Sequence, residues 1–191
     1  MRNRVIRGAV AAIAVIILLA AALAACQNPD YVYTEDGSIE CGADGQPIVL
    51  RDNPDAHDPT FGELTAFLEA DPTDTNPYLE GQYVCADFAE DVHNNAEAAG
   101  IRAGWVGVMF ENAEIGHALN VFETTDRGTV YIDCTNGASL DPQNAGKGWD
   151  MVAYPELGKR YGVIHIADII AAGMSQGALE EVVVEGEGAI I

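Results

Sequence analysis

Residues 84–99 read VCADFAEDVHNNAEAA. Val84, Phe88, Val92 and Ala96 recur every four residues, and Ala89 and Ala99 fill the same stripe, which predicts one buried face of an amphipathic helix. Cys85 falls in its first turn. Four backbone N–H groups without intrahelical partners and the positive end of the macrodipole converge there, a setting that favours thiolate over thiol. Gly100 follows as a C-terminal cap. One cysteine at a helix start is equally compatible with core packing, so the remaining chain has to decide between a nucleophile and a structural thiol.

The N-terminus has to be set aside first. Arg2, Arg4 and Arg7 precede an unbroken apolar run, residues 9–25, that closes on small residues at Cys26, the layout of an export signal. Leu23, Ala24, Ala25 and Cys26 resemble the lipobox of bacterial lipoproteins, in which the cysteine is lipidated and becomes the new first residue. That resemblance implies a signal peptide over 1–25, Cys26 as the lipidation site, and a protein held on the membrane surface by acyl chains. The alternative is an uncleaved N-terminal membrane helix. Removal of residues 1–25 from a chain of 191 leaves 166, enough for one domain with its own core. Three of the nine basic residues leave with the signal, so 30 acidic residues remain against six basic ones. Such a surface repels nucleic acid and anionic lipid headgroups, and no nucleic-acid partner is expected.

Cys41, Cys85 and Cys134 remain besides Cys26. In an oxidising compartment an odd count means one disulfide and one free thiol; in an anaerobe it means three thiols. Three pairings are open; the expectation is Cys41 with Cys134, which leaves Cys85 free.

Taken in order, residues 26–57 are polar and rich in turn signals and read as a tether, with a small hairpin about Asp36-Gly37. A domain over 58–191 follows. Thr60 can cap a helix with Glu63 three residues on, and Phe61, Leu64, Phe67 and Leu68 supply its apolar stripe before Asp71-Pro72 stops it. Residues 71–82 form a loop leading to the cysteine helix. Gln82 and Tyr83, just before Cys85, are candidate donors to a developing oxyanion. AGWVGVMF (103–110) reads as a central strand covered on both faces, with Trp105 in the core. HALNVFETT (117–125) and TVYID (129–133) are two further strands. Beyond Asn136 the chain reads as a loop, a short segment over 149–154, a strand over 161–166 carrying His165 on its apolar pattern, and a final edge strand.

His117 opens one strand and Asp133 closes the next, so antiparallel pairing brings both to the same edge of the sheet. With Glu123 opposite Thr129, Asp133 falls opposite Leu119, one pair from His117 and on its face. A tighter turn over residues 126–128 would set Asp133 opposite Val121, out of reach. A catalytic role for the pair therefore requires the looser register.

The stretches YVCADFAEDVHNNAEAAGIRAGWV and GHALNVFETTDRGTVYIDCTNG together resemble the transglutaminase-like superfamily of papain-fold cysteine enzymes over about residues 60–137. The shared order is a Cys at a helix start followed by Ala and an aromatic, a His opening a strand, and an Asp ending the next strand shortly before Thr. The chain departs from it in Cys134, where many members have Pro, and in Leu119, where a Trp often follows the His. The resemblance implies an α+β fold, with the nucleophile-bearing helix packed on an antiparallel sheet, and Cys85 as nucleophile, His117 as base and acid, and Asp133 as the group that orients the imidazole. The expected activity is cleavage or transfer of an amide acyl group through a thioester, hydrolysis before cross-linking, on a peptide or cell-envelope amide. A catalytically idle surface binding module is the alternative. No cofactor is required. His57, His93, His117 and His165 show no close metal-ligand spacing with one another or with the cysteines, Cys85 and His93 lying eight apart, so no metal is expected.

Overall fold

The structure is a computed structural model and describes residues 30–34, 36–111, 113, 115–135 and 151–159, with the backbone of 162–165. Within them the protein is a mixed α+β fold of two helices and antiparallel sheet. The expected signal peptide, the expected lipidation site Cys26, the loop expected after Asn136 and the expected C-terminal edge strand lie outside the described residues. Among the described residues no helix is long and apolar enough to cross a membrane.

Strands β1 (Asp30–Tyr31) and β2 (Val49–Leu50) form a two-stranded sheet. Between them, Asp36 and Gly37 turn the expected small hairpin, closed by a Tyr33–Ile39 bridge. Gly37 takes φ 83°, a left-handed conformation that glycine adopts without steric cost. Helix α1 (Phe61–Ala70) begins at the reciprocal cap read from the sequence: the Glu63 N–H donates to Thr60 Oγ1 at 3.1 Å, and the Thr60 N–H donates to Glu63 Oε2 at 2.8 Å. A 3-10 turn (Thr73–Thr75) precedes helix α2 (Cys85–Ala98). The main sheet then runs β3 (Gly104–Val108), β4 (His117–Thr124), β5 (Gly128–Asp133), β6 (Met151–Tyr154) and β7 (Gly162–His165), each antiparallel to the one before and adjacent to it.

Both helices pack on one core. Phe61, Leu64 and Leu68 from α1 and Phe88, Val92 and Ala96 from α2 meet Phe122, Val130, Ile132 and Val152 from the sheet. Burying side chains of this size stabilises the fold by roughly 1.5–3 kcal/mol each. The α2–β4 contact also contains a polar pin. Asn120, 1 % exposed, donates through Nδ2 to the carbonyl of Ala89 at 2.8 Å.

Four expectations need correction. The 103–110 run is an edge strand, not a central one, since β3 pairs only with β4 among the described residues. Its apolar character has another origin: Trp105 packs with Ala86 and Ala89, while Val106 and Val108 join Leu119, Phe110 and Met151 in a second cluster. Val84 and Ala99 cap α2 instead of extending its buried face; Val84 is half-buried and Ala99 exposed. Residues 49–57 are not a tether. Helix side chains clamp this segment: the Val49 N–H donates to Glu90 at 3.1 Å, Arg51 to Asn94 at 2.8 Å and Asn53 to Glu97 at 2.9 Å. Finally, Cys41 is a free, exposed thiol, so the expected Cys41–Cys134 disulfide is not formed. The two cysteines serve different surroundings, Cys41 on the hairpin surface and Cys134 in the main core cluster.

Candidate active site

Three element ends converge. Cys85 is the first residue of α2, His117 the first of β4 and Asp133 the last of β5. The β4–β5 ladder pairs Glu123 with Thr129 and Asn120 with Ile132, the looser register on which a His117–Asp133 contact depends. Thr124 opposite Gly128 closes the turn. The Arg127 guanidinium lies 4.1 Å above the Phe61 ring, and the Phe61 N–H donates to Asp126 Oδ1 at 2.7 Å, so the start of α1 holds the turn in place.

His117 Nε2 lies 2.8 Å from Asp133 Oδ2. The carboxylate is nearly enclosed, at 4 % side-chain exposure against 18 % for the imidazole. A hydrogen bond to Cys85 also engages the ring. With Nε2 turned to Asp133, Nδ1 is the nitrogen left for the sulfur. Burial pulls the imidazole pKa down, but the charge and hydrogen bond of Asp133, followed by those of Cys85, outweigh it and raise the value from 6.5 to about 10. The site therefore favours an imidazolium beside the sulfur at neutral pH. Cys85 itself is partly exposed and carries a free thiol.

The first turn of α2 is capped in an unusual way. Val84, at the N-cap, has no side-chain acceptor, and Asp87 supplies one from three residues on: its Oδ2 accepts from the Val84 N–H at 2.8 Å and from the Ala43 N–H at 3.2 Å. The carboxylate thus ties the first turn of α2 to residues 41–47, which a Cys41–Pro47 bridge closes. The N–H groups of Cys85 and Ala86 belong to the helix's orphan donors.

The two oxyanion candidates are placed differently from the expectation. Tyr83 turns away: its hydroxyl donates to Asp91 Oδ2 at 2.6 Å and accepts from Asn76 Nδ2 at 3.0 Å, and its ring packs on Phe88. Burial, then the hydrogen bond to Asp91, raises the Tyr83 pKa. Gln82 is exposed, and the backbone N–H groups of both residues donate to the Leu79 carbonyl.

Two groups escaped the sequence reading. Thr135, 1 % exposed, donates to Asp133 Oδ1 through its N–H at 3.0 Å and through its hydroxyl, which also lies 3.3 Å from His117 Nε2. The Asp-x-Thr spacing is the signal that could have shown it, since a carboxylate commonly accepts from the N–H two residues on. The second is a meeting of Asp52, His93 and Glu97, whose ligand atoms lie within 4.8 Å of one another. His93 and Glu97 are one helical turn apart and legible as a pair, but Asp52 comes from a segment read as a tether.

No protein-family model, no curated protein and no solved structure matches this chain.

Proposed function

We propose that this protein is a cysteine amidohydrolase of transglutaminase-like type, with a papain-like core, acting on peptide or cell-envelope amides through Cys85, His117 and Asp133. One observation carries the reading: a thiol, an imidazole and a buried carboxylate lie in sequence at three element ends, with the 2.8 Å contact between Nε2 and Oδ2 fixing the ring. Each group then has a role. The Cys85 sulfur attacks the amide carbonyl carbon, forming a C–S bond, while the oxyanion that develops faces the orphan N–H groups of the first turn of α2. His117 gives its proton to the nitrogen as the C–N bond breaks, and the amine leaves. Water, its proton taken by His117, attacks the thioester and frees the acid and the thiol; an amine in place of water would give transamidation. Asp133 fixes the imidazole orientation and stabilises its cation. Lipidation at the expected site, Cys26, would hold this activity on the cell membrane surface, within reach of envelope amides.

The test is thiol alkylation read by peptide mass spectrometry without reductant, followed by hydrolysis assays on a panel of envelope peptides. Cys85 is expected to label faster than Cys41, and His117→Ala to abolish that advantage. Equal labelling of Cys85 and Cys41 in the wild type, unchanged by His117→Ala, would overturn the proposal.

A further inference from the structure

The buried face of α2 holds a second group of chemistry-bearing side chains, outside the site around Cys85. His93 is 1 % exposed and Glu97 2 %. They are one turn apart on the helix, and Asp52 reaches them from the clamped segment with its own side chain 69 % exposed.

The hydrogen bonds of Asn94 set which end of its amide meets His93. Asn94 accepts at Oδ1 from the Arg51 N–H at 2.8 Å and donates from Nδ2 to the Val49 carbonyl at 3.0 Å, so its amide has one orientation. His93 Nδ1 lies 3.4 Å from that same Oδ1, an acceptor. His93 Nε2 points at Asp52 Oδ1 3.4 Å away, with the Glu97 carboxylate alongside. One ring nitrogen and two carboxylates thus converge, their ligand atoms all within 4.8 Å of one another, with two of the three residues buried.

We infer that Asp52, His93 and Glu97 form a binding site for a divalent metal ion of borderline softness, of which Zn²⁺ is the type. One imidazole and two carboxylates are a donor set for such ions. The ligands have the outer partners that metal ligands characteristically have. Glu97 accepts from the Ala103 N–H through Oε1 at 2.8 Å and from the Asn53 N–H through Oε2 at 2.9 Å, which holds the carboxylate still and leaves lone pairs on both oxygens. Asn94 does the same for the His93 ring. Exposed Asp52 supplies the entry path. The ion would staple residues 49–53 to α2. It would thereby secure the buried Ile48, which packs with Ala86, Ala89 and Ala118 next to Cys85. The site does not depend on the amidohydrolase reading and stands or falls separately.

The experiment uses the full chain, stripped with chelator and titrated with Co²⁺ and Zn²⁺. Co²⁺ is expected to bind with d–d absorption and no sulfur-to-cobalt charge-transfer band, which separates this site from the thiols of Cys41 and Cys85. Zn²⁺ is expected to bind one equivalent at the same place and to raise the melting temperature by mass action. Asp52→Asn, at an exposed position that leaves the fold intact, is expected to weaken binding about tenfold or more. His93→Gln is expected to abolish it. Absence of binding would overturn the proposal. So would a sulfur charge-transfer band, or equal affinity in Asp52→Asn.

Discussion

The Thr135 hydroxyl and the Thr135 N–H both donate to Oδ1 of Asp133, which leaves Oδ2 to face His117 Nε2 at 2.8 Å. The carboxylate is thus divided between a residue that holds it and a residue it orients. Thr135→Val keeps the shape and the backbone bond but removes the hydroxyl. Hydrogen bonds to charged groups are worth about 1.5–3 kcal/mol, so the Cys85 alkylation rate should fall about tenfold to a hundredfold, with Thr135→Ser restoring most of it. Substrate affinity should stay unchanged, because Thr135 acts through Asp133. A Thr135→Val rate equal to wild type would show that Asp133 needs no second support.

The imidazole has a pKa of about 10 in the folded protein against 6.5 for the free group. A value raised on folding means that the native state binds the proton more tightly. The stability gained is therefore complete below about pH 6.5, declines as pH rises, and is gone above about pH 10. Denaturant unfolding from pH 6 to pH 10 should show this decline in the wild type, and a flatter profile in His117→Gln. Parallel profiles in the two proteins would mean that other groups carry the alkaline limb.

Much of the site was legible because its parts are tied to local signals. The period of α2, the capping box of α1 and the alternation of β4 and β5 depend on near neighbours. The Glu123–Thr129 register is the one that lets His117 meet Asp133, since the alternative turn sets Asp133 opposite Val121. What was not legible depends on long-range contacts. An edge strand packed on both faces carries the same apolar run as a central one, so residues 104–108 gave no sign of their place. The 49–53 segment reads as polar and loose because its order comes from Glu90, Asn94 and Glu97, more than 40 residues away. Tyr83 precedes Cys85 in sequence, yet Asp91, two helical turns on, captures its hydroxyl.

Asn120 joins β4 to the backbone of α2 by a buried hydrogen bond to the Ala89 carbonyl. Asn120→Ala removes the donor and leaves the Ala89 carbonyl with its helical bond alone, besides opening a small void between helix and sheet. The expected loss is about 1–3 kcal/mol in denaturant unfolding. Alkylation of Cys85 should change little if the helix keeps its seat, because the pin at Ala89 lies a full turn beyond Cys85. A loss below about 0.5 kcal/mol would assign the α2–β4 contact to apolar packing alone.

Gly42 lies where no side chain fits. A Cβ placed there would collide with the Asp87 carboxylate, the group that accepts from both the Val84 and Ala43 N–H groups. Gly42→Ala must therefore displace either the hairpin or Asp87, and the second outcome uncaps the first turn of α2. Loss of an N-terminal cap costs about 1 kcal/mol, which denaturant unfolding would register. The more informative readout is the Cys85 alkylation rate, since the displaced group is a carboxylate two residues from the sulfur. Asp87→Asn separates the two effects: it removes the charge but keeps an oxygen acceptor. If Gly42→Ala and Asp87→Asn alter the Cys85 rate in the same direction, the charge of Asp87 sets the reactivity of the first turn. If only Gly42→Ala alters it, the position of the helix end does.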